Sequence, residues 1–424
     1  MGLRTINLEQ SETDCLTQLG ENKPIWNSMR CRLVTPMYGG GVQAAIPDIK
    51  MPIRAAAIRG QLRFWWRLLA KQKWNLQGKD LHQAEWALWG GMETNDTKEQ
   101  ASKVFLRVKE IGSIKKIPYF QKFSQQKRER KKNAELSPYS YVLFAMDNTD
   151  EEEKTELIQE GLIWTLEWRF ADTDKARISE TEKKQVLETL RWWAMFGGVG
   201  ARTRRGCGAF IVETCSVEEI MQPISVEEAQ EAGCRLVMRQ ETGSAKNAWK
   251  EAVIRLLDFR QKPDVGRNPP SEQAKREKKP AGRSRWPEPD AIRRITKHPC
   301  VRHQPEHPAG NIFPRAMFGM PIIFHFMGGG EPADMQLLPK GKERMASPII
   351  VRPIWQGKEQ WVAGALLLPI DGLLNLPVEL KKGDQPTPVT LWDSQKAAHI
   401  KPIQQNGDGN SNPLDAFLNY FTKK

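Results

Sequence analysis

The clearest hydrophobic pattern along the chain lies at residues 58–69, IRGQLRFWWRLL. An α-helix turns by about 100° per residue, so apolar residues three or four positions apart share one face. One face then holds an apolar stripe formed by Ile58, Leu62, Trp65 and Leu69. A basic stripe runs beside it and consists of Arg59, Arg63 and Arg67. The pattern predicts a helix from about residue 55 to residue 73 that packs through its apolar stripe.

A second amphipathic helix is predicted at residues 180–196, ETEKKQVLETLRWWAMF. It ends at the glycine-rich segment GGVGARTRRGCGAF, residues 197–210, after which AFIVETC returns as a strand. Apolar runs predict further strands at residues 29–38, 104–111, 139–146 and 161–170. The order strand, helix, two or more strands, helix, strand is that of a ferredoxin-like domain with RRM-type topology.

The rest of the chain predicts a second domain of mixed helices and strands. Its best helix candidate is AWKEAVIRLLDFRQ at residues 248–261, and a short closing helix is predicted at residues 413–421. Its strands are predicted at residues 321–326, 347–354 and 360–370. Residues 262–289 contain six prolines, which predicts a linker or a long loop. We therefore divide the chain into an N-terminal extension at 1–28, a first domain at 29–240 and a second domain at 241–424.

Length and charge narrow the possible partners. A chain of 424 residues is too long for one ordinary core and suits two domains. The formal net charge of +13 favours a polyanionic partner, and nucleic acid is the most common one. An anionic membrane surface would also fit the charge, but neither terminus has a basic amphipathic helix to hold one. We therefore expect a nucleic-acid partner and no membrane.

The sequence has features of a cytoplasmic protein. No run of about eighteen uncharged apolar residues is present, which predicts no membrane span. The start, MGLRTINLEQSETDC, lacks the apolar core of a signal peptide. The six cysteines show no CxxC pair and are expected to be reduced thiols.

The glycine-rich segment at residues 197–210 is the strongest candidate binding site. Glycines bring backbone N–H groups close to a ligand, and arginines can clamp phosphates. The candidate residues are Gly197, Gly198, Gly200, Arg202, Arg204 and Arg205. The segment lacks the GK[ST] ending of a Walker A loop and follows a helix rather than a strand, so we expect no nucleotide cofactor. The alternative is a tight turn whose arginines face water.

The basic stripe of the first helix is a second candidate for RNA contact. We expect RNA contacts from Arg54, Arg59 and Arg63, near the start of the helix. The alternative is that the stripe is a solvated helix face. Gly60 costs about 1 kcal/mol relative to alanine inside a helix, which predicts that another segment packs closely against it.

One histidine- and cysteine-rich segment, HPCVRHQPEH, is a weak candidate for metal binding. Zinc ligands could come from His298, Cys300, His303 and His307. Their spacing matches no zinc-finger pattern, and two prolines interrupt the segment. A metal-free loop is therefore the favoured interpretation.

Asp48 and His82 are the remaining candidates for catalysis. Asp48 lies in a loop before the first helix, where a carboxylate could position a ribose hydroxyl. His82 is the one histidine available for acid–base catalysis in the predicted first domain. An ordinary exposed turn is the more common explanation for an aspartate such as Asp48.

Five sequence motifs carry a family resemblance. The helix motif IRGQLRFWWRLLA and the loop GGVGARTRRGCGAF resemble the first helix and the glycine-rich loop of RAMP proteins, a superfamily of ferredoxin-like RNA binders. GRSRWPEPDAIR (282–293), FPRAMFGMPIIFHF (313–326) and RMASPIIVRPI (344–354) follow in order. Together they most resemble the large first RAMP subunit of type III-B CRISPR (Cmr) effector complexes.

The resemblance implies two tandem RAMP domains in a non-catalytic subunit of an RNA-guided ribonucleoprotein for antiviral defence. The partners it implies are CRISPR RNA, toward its 3′ end, target RNA, and other RAMP subunits of the Cmr complex. Target cutting in that family belongs to a different, backbone subunit with an aspartate before its first helix. The pattern around Asp48 differs from that of the backbone subunits, so the resemblance does not transfer catalysis to it. A RAMP endoribonuclease that uses Asp48 or His82 is the alternative.

Overall fold

The computed structural model describes residues 24–43, 45–92, 98–172, 177–276, 282–298, 304–326 and 329–423. Its strands are β1 (Asn27–Leu33), β2 (Met37–Tyr38), β3 (Val104–Lys109), β4 (Lys116–Pro118), β5 (Phe120–Lys122), β6 (Lys131–Lys132), β7 (Glu156–Ile158), β8 (Ile163–Phe170), β9 (Phe210–Cys215), β10 (Arg235–Thr242), β11 (Ile322–Phe324), β12 (Met335–Pro339), β13 (Ile349–Trp355), β14 (Trp361–Leu367), β15 (Val378–Lys382) and β16 (Gln385–Val389). Its helices are α1 (Ala55–Gln72), α2 (Gly78–Trp89), α3 (Ser140–Leu143), α4 (Glu180–Phe196), α5 (Val226–Glu231), α6 (Ala245–Gln261), α7 (Glu272–Arg276), α8 (Glu288–Thr296), α9 (Lys401–Gln404) and α10 (Pro413–Thr422). Most of the predicted N-terminal extension lies outside the described residues.

The first domain is ferredoxin-like, as predicted. Its sheet has the strand order β3-β8-β1-β9, and all neighbouring strands are antiparallel. Helix α1 follows β1, and helix α4 connects β8 to β9. The chain therefore runs strand, helix, strand, strand, helix, strand through this sheet. The α+β class predicted from the sequence is confirmed.

Both helices cover the same face of this sheet. Alternation along β1 buries Met29, Cys31 and Leu33 against them, because successive side chains of a strand point to opposite faces. The apolar stripe of α1 is buried as predicted and packs on α4, where the rings of Trp65 and Trp192 lie 5.9 Å apart. This aromatic packing fixes the end of α4, from which the glycine-rich segment leaves.

The second domain repeats most of this topology. Its sheet has the strand order β10-β14-β13. Along the chain, α6 follows β10, and α10 follows β13 and β14. These are the first five elements of a ferredoxin-like unit, and the described residues contain three strands of this sheet. A separate antiparallel sheet, β11-β12-β15-β16, extends the domain. Because β10 begins at Arg235, this sheet starts before the boundary that we placed at residue 241.

The strand predicted at residues 139–146 is wrong. The segment forms helix α3 between two short 3₁₀ turns. Tyr139, Val142, Leu143 and Met146 are all buried. Their spacing of three and four positions is helical, and a short apolar run fits a strand equally well on composition alone. Tyr139 stacks on Trp249 of α6 with ring centroids 3.8 Å apart, which ties the segment to the second domain.

The described parts of residues 262–289 pack against the second domain. Arg267 pairs with Ser284 in an isolated bridge, and Arg285 contacts Asp264. Trp286 is 1% exposed and meets Phe259 of α6 edge to face. The segment therefore contains packed residues around Trp286, whereas helix α7 within it buries none. No described helix is long and apolar enough to cross a membrane.

Candidate nucleic-acid interface

The glycine-rich segment doubles back on itself between α4 and β9. The amide of Val199 donates to the carbonyl of Gly208 at 2.9 Å, which closes the loop. Gly200 and Gly208 have φ values of +77° and +65°, in the left-handed region that favours glycine. A Cβ on Gly208 would lie 1.9 Å from the carbonyl oxygen of Val199. The tight turn therefore requires a glycine at this position.

The other predicted glycines also lie in this turn. The amide of Gly197 donates to the carbonyl of Trp193 and ends α4, while its own carbonyl accepts a hydrogen bond from Arg352. The amides of Gly198 and Gly200 donate to no other residue in the described part of the chain. Gly198 is buried, and Gly200 is partly exposed.

Arg205 joins the loop to the second domain. Its guanidinium donates to the hydroxyl of Ser347 at 3.2 Å and to the carbonyls of Ile349 and Phe318 at 3.0 and 2.9 Å. Burial lowers the pKa of Arg205 to about 10, so the side chain stays charged at neutral pH. The carbonyl of Arg205 in turn accepts from the indole N–H of Trp249 at 2.7 Å. The contacts of Arg205 therefore lie within the protein.

Arg202 and Arg204 lie in the same turn and make fewer hydrogen bonds than Arg205. Arg202 donates to the carbonyl of Val142 at 2.7 Å, and its guanidinium lies 4.7 Å from the ring centre of Phe144. Arg204 donates to the carbonyl of Ser347 and lies 5.2 Å from the ring centre of Phe64. Burial lowers the pKa of Arg204. Both guanidiniums border a cleft between the two domains.

The cleft has a volume of about 810 Å³. One wall is the arginine turn of the first domain, and the other comes from the FPRAMFGM and RMASPII motifs of the second domain. The charged and aromatic residues that line it are Tyr141, Phe144, Arg202, Arg204, Arg205, Arg260, Arg315 and Phe318. Three of the motifs that carried the family resemblance therefore meet at one place.

The arginines of the cleft outnumber the carboxylates near them. Arg315 pairs with the fully buried Glu288 at 3.0 Å. Arg260 has no carboxylate within ion-pair distance among the described residues, and its nearest aromatic partner is Phe318, 5.8 Å away. Arg202, Arg204 and Arg205 likewise use carbonyl, hydroxyl and ring partners rather than carboxylates. A concave surface with unneutralised cations concentrates positive potential and attracts polyanions.

The basic stripe of α1 is largely neutralised by α2. Arg63 and Arg67 both pair with Glu85, at 2.6 and 2.7 Å, and the carboxylate is nearly buried. Arg59 donates to the hydroxyl of Ser102 at 2.7 Å. Arg54 donates to the carbonyls of Gly40 and Gly41.

Gly60 has open space beside it rather than a closely packed segment. An added Cβ would meet nothing within 4 Å. The prediction of a close approach at this position is therefore wrong. Gly60 lines a small groove that also borders Phe64 and Arg204, so the surface of α1 beside the cleft is left uncovered here.

Asp48 and His82 occupy ordinary local settings. The carboxylate of Asp48 accepts from the amides of Lys50 and Met51 at 2.9 and 3.0 Å, and these bonds lower its pKa. His82 is exposed on α2 and packs on Trp86 with ring centroids 5.4 Å apart. Neither residue lines the cleft described above.

The histidine-rich segment is only partly described. Cys300 and His303 lie outside the described residues. Both ring nitrogens of His307 contact the backbone, at Arg285 and Ala309, and burial lowers its pKa. The Nδ1 of His298 contacts the carbonyl of Thr296. Within the described ranges no three potential ligand side chains meet as a metal site.

Sequence reasoning missed three residues of the cleft. Arg315 lies in the quoted FPRAMFGM motif, but its position in the cleft depends on how that segment folds beside the arginine turn. Arg260 ends a predicted helix and carries no distinguishing pattern. Phe144, which is 55% exposed, was missed as a candidate because its segment was predicted to form a strand. An exposed aromatic beside an arginine is a signal that needs the tertiary structure.

The model of the RAMP superfamily matches residues 30–211. These residues comprise the ferredoxin-like first domain from within β1 to the first two residues of β9, including the glycine-rich segment. The prediction of a RAMP domain is therefore confirmed for this part of the chain. No curated protein sequence matches the chain.

Two similar solved structures are one of Cmr1 and one of a type III-B Cmr-beta complex. Cmr1 from Pyrococcus furiosus, in its apo form, is 14% identical, with 84% of this chain and 98% of that chain covered and a TM-score of 0.45. A chain of the type III-B Cmr-beta structure, bound to cognate target RNA and AMPPNP, is 11% identical, with 90% and 98% covered and a TM-score of 0.44. Scores this low indicate a loose likeness of the backbone.

Replacing Arg205 by leucine should destabilise the protein. The change removes the hydrogen bonds to Ser347, Ile349 and Phe318. It leaves the buried carbonyl of Phe318 without its donor, and an unsatisfied buried group costs about 1–3 kcal/mol. Urea denaturation followed by tryptophan fluorescence measures the shift in midpoint. Arg202→Leu is the matched control and should shift it much less, because Arg202 makes one such hydrogen bond. Equal midpoints for the two variants would contradict the anchoring role of Arg205.

Proposed function

We propose that this protein is a non-catalytic RNA-binding subunit of a type III-B CRISPR effector complex. It binds CRISPR RNA, toward its 3′ end, or target RNA in the cleft between its two domains. Its other partners are further RAMP subunits of the Cmr complex, and it acts in cytoplasmic antiviral defence. The RAMP domain at residues 30–211 and the order of the five quoted motifs support this assignment.

The observation that carries the proposal is the excess of arginine over carboxylate in the cleft. Cations that are held close together without counter-charges repel one another. Bound phosphates supply the missing negative charge. Arg202, Arg204 and Arg260 have no carboxylate partner in the described part of the chain and border the cleft. Arg205 positions the turn and leaves the phosphate contacts to its neighbours.

The cleft has the composition of a surface that accepts many RNA sequences. Arginines contact phosphates and carry no base information directly. Exposed Phe144 offers a ring on which any base can stack. A guide-binding subunit must accept many spacer sequences, so readout of charge and backbone suits its task.

Removing the two outer arginines of the turn should weaken RNA binding. In Arg202→Ala/Arg204→Ala we expect a lower affinity for single-stranded RNA and a smaller dependence of affinity on salt, by about one phosphate contact for each arginine lost. Fluorescence anisotropy across a salt series measures both quantities. Lys382→Ala/Lys401→Ala removes the same charge from exposed positions away from the cleft and should bind normally. An unchanged salt slope in the arginine variant would place the RNA elsewhere.

Phe144 should contribute to affinity without contributing much to stability. Stacking of one base on an aromatic side chain is worth about 1–3 kcal/mol, so Phe144→Ala should weaken binding about fivefold or more. The same variant should unfold at nearly the wild-type urea concentration because the ring is more than half exposed. Phe144→Trp, which keeps a ring, should restore binding. Equal affinity of the alanine variant and the wild type would exclude stacking at this position.

The isolated protein should leave bound RNA intact. Asp48 and His82 lie outside the cleft lining, and Asp48 accepts two amide hydrogen bonds as an ordinary turn residue does. Gel electrophoresis of labelled RNA after long incubation checks this expectation. Cleavage that disappears in Asp48→Ala or His82→Ala would instead establish the alternative, a RAMP endoribonuclease.

A further inference from the structure

The sheet of the first domain has a second face, which α1 and α4 do not cover. Side chains that alternate with the buried residues of β1, β3 and β8 point to this side. We call it the open face and define it by Trp26, Arg30, Arg32, Phe105, Arg107 and Arg169. The strand register places Phe105 opposite Arg169, and Arg107 opposite Glu167. The cleft lining includes none of these residues.

Aromatic rings and guanidiniums alternate in a layered stack on this face. The guanidinium of Arg169 lies 4.1 Å from the ring centre of Phe105 and 5.3 Å from that of Trp26. The guanidinium of Arg107 lies 3.9 Å from the ring centre of Trp26. Phe105 remains 36% exposed at the end of the stack. The planar groups are therefore held in place and accessible at one end.

The open face also carries more cations than carboxylates. Glu213 pairs with both Arg30 and Arg32. Glu167 pairs with both Arg107 and Lys109. Each of the two carboxylates is therefore shared by two cations, and Arg169 has no carboxylate within ion-pair distance among the described residues. Glu110, just beyond β3, accepts a hydrogen bond from the hydroxyl of Thr165. It reduces the excess of positive charge on the open face but does not remove it.

We propose that the open face is a second binding surface for single-stranded RNA, separate from the cleft. Phosphates would contact Arg30, Arg32 and Lys109, which share their carboxylates, and a base would stack on Phe105. The inference rests on the geometry of the open face and does not depend on RNA binding in the cleft.

The chemistry of the open face favours RNA over a protein partner. A stable protein interface needs an apolar centre, and Phe105, which is 36% exposed, is the one exposed large apolar side chain of β1, β3, β8 and β9. Bases, by contrast, offer flat surfaces that stack on rings and on guanidiniums, while the phosphates between them meet the cations. A four-stranded sheet with such side chains holds the bases and the phosphates at the same time.

Photocrosslinking tests the proposal on the full-length protein. Single-stranded RNA that contains thiouridine is bound, irradiated and digested, and the crosslinked peptides are identified by mass spectrometry. We expect crosslinks in β1, β3 or β8 in addition to any in the cleft. In Arg202→Ala/Arg204→Ala, whose changes lie in the cleft, the crosslinks on the open face should persist. Their absence from the wild-type protein would overturn the proposal and leave the face to a protein partner.

Two variants of the open face give an independent readout. Phe105→Ala should reduce the crosslinks in these strands at least threefold and leave those at residues 197–210 unchanged. Arg30→Gln/Arg32→Gln keeps polar side chains, removes two cations and should lower the salt dependence of RNA binding. Lys382→Ala/Lys401→Ala is again the control for charge loss. Wild-type crosslinks and salt dependence in both variants would overturn the proposal.

Discussion

The buried guanidinium of Arg205 is the interaction on which the arrangement of the two domains depends. It comes from the first domain and donates to Ser347, Ile349 and Phe318 of the second. Removal of this cation from water is costly, and three acceptors together offset that cost. Arg352 makes the reciprocal contact, from β13 to the carbonyl of Gly197 at the end of α4. Burial lowers the pKa of Arg352 to about 9, which still leaves it charged at neutral pH.

Much of the fold could be predicted because long segments have one clear period. The apolar stripe of α1 and the alternation along β1 each fit one type of element, and both were assigned correctly. The segment at residues 139–146 failed because its apolar residues fit a strand and a helix equally well. Its helical conformation depends on Trp249, which is more than 100 residues away in sequence and provides the surface on which Tyr139 stacks.

The sequence singled out a segment that borders the cleft, but it did not distinguish the roles of its residues. Three arginines in a glycine-rich turn marked this segment as the candidate site. Sequence alone could not separate Arg205, which bonds to the second domain, from Arg202, which borders the cleft, because that difference depends on partners far along the chain. For the same reason the sequence could not show that Glu85 neutralises Arg63 and Arg67 of the basic stripe.

The closed glycine-rich turn has a consequence for how a ligand is selected. Its backbone is fixed by the bond from Val199 to Gly208, and the buried hydroxyl of Thr35 donates to the carbonyl of Gly206 at 2.6 Å. A turn that is ordered before binding loses little conformational entropy when a ligand arrives. The spacing of the backbone positions that carry its arginines is therefore set before a ligand arrives. For the RNA ligand that we propose, selection would then depend on the curvature and phosphate spacing of the strand, which are properties of its shape.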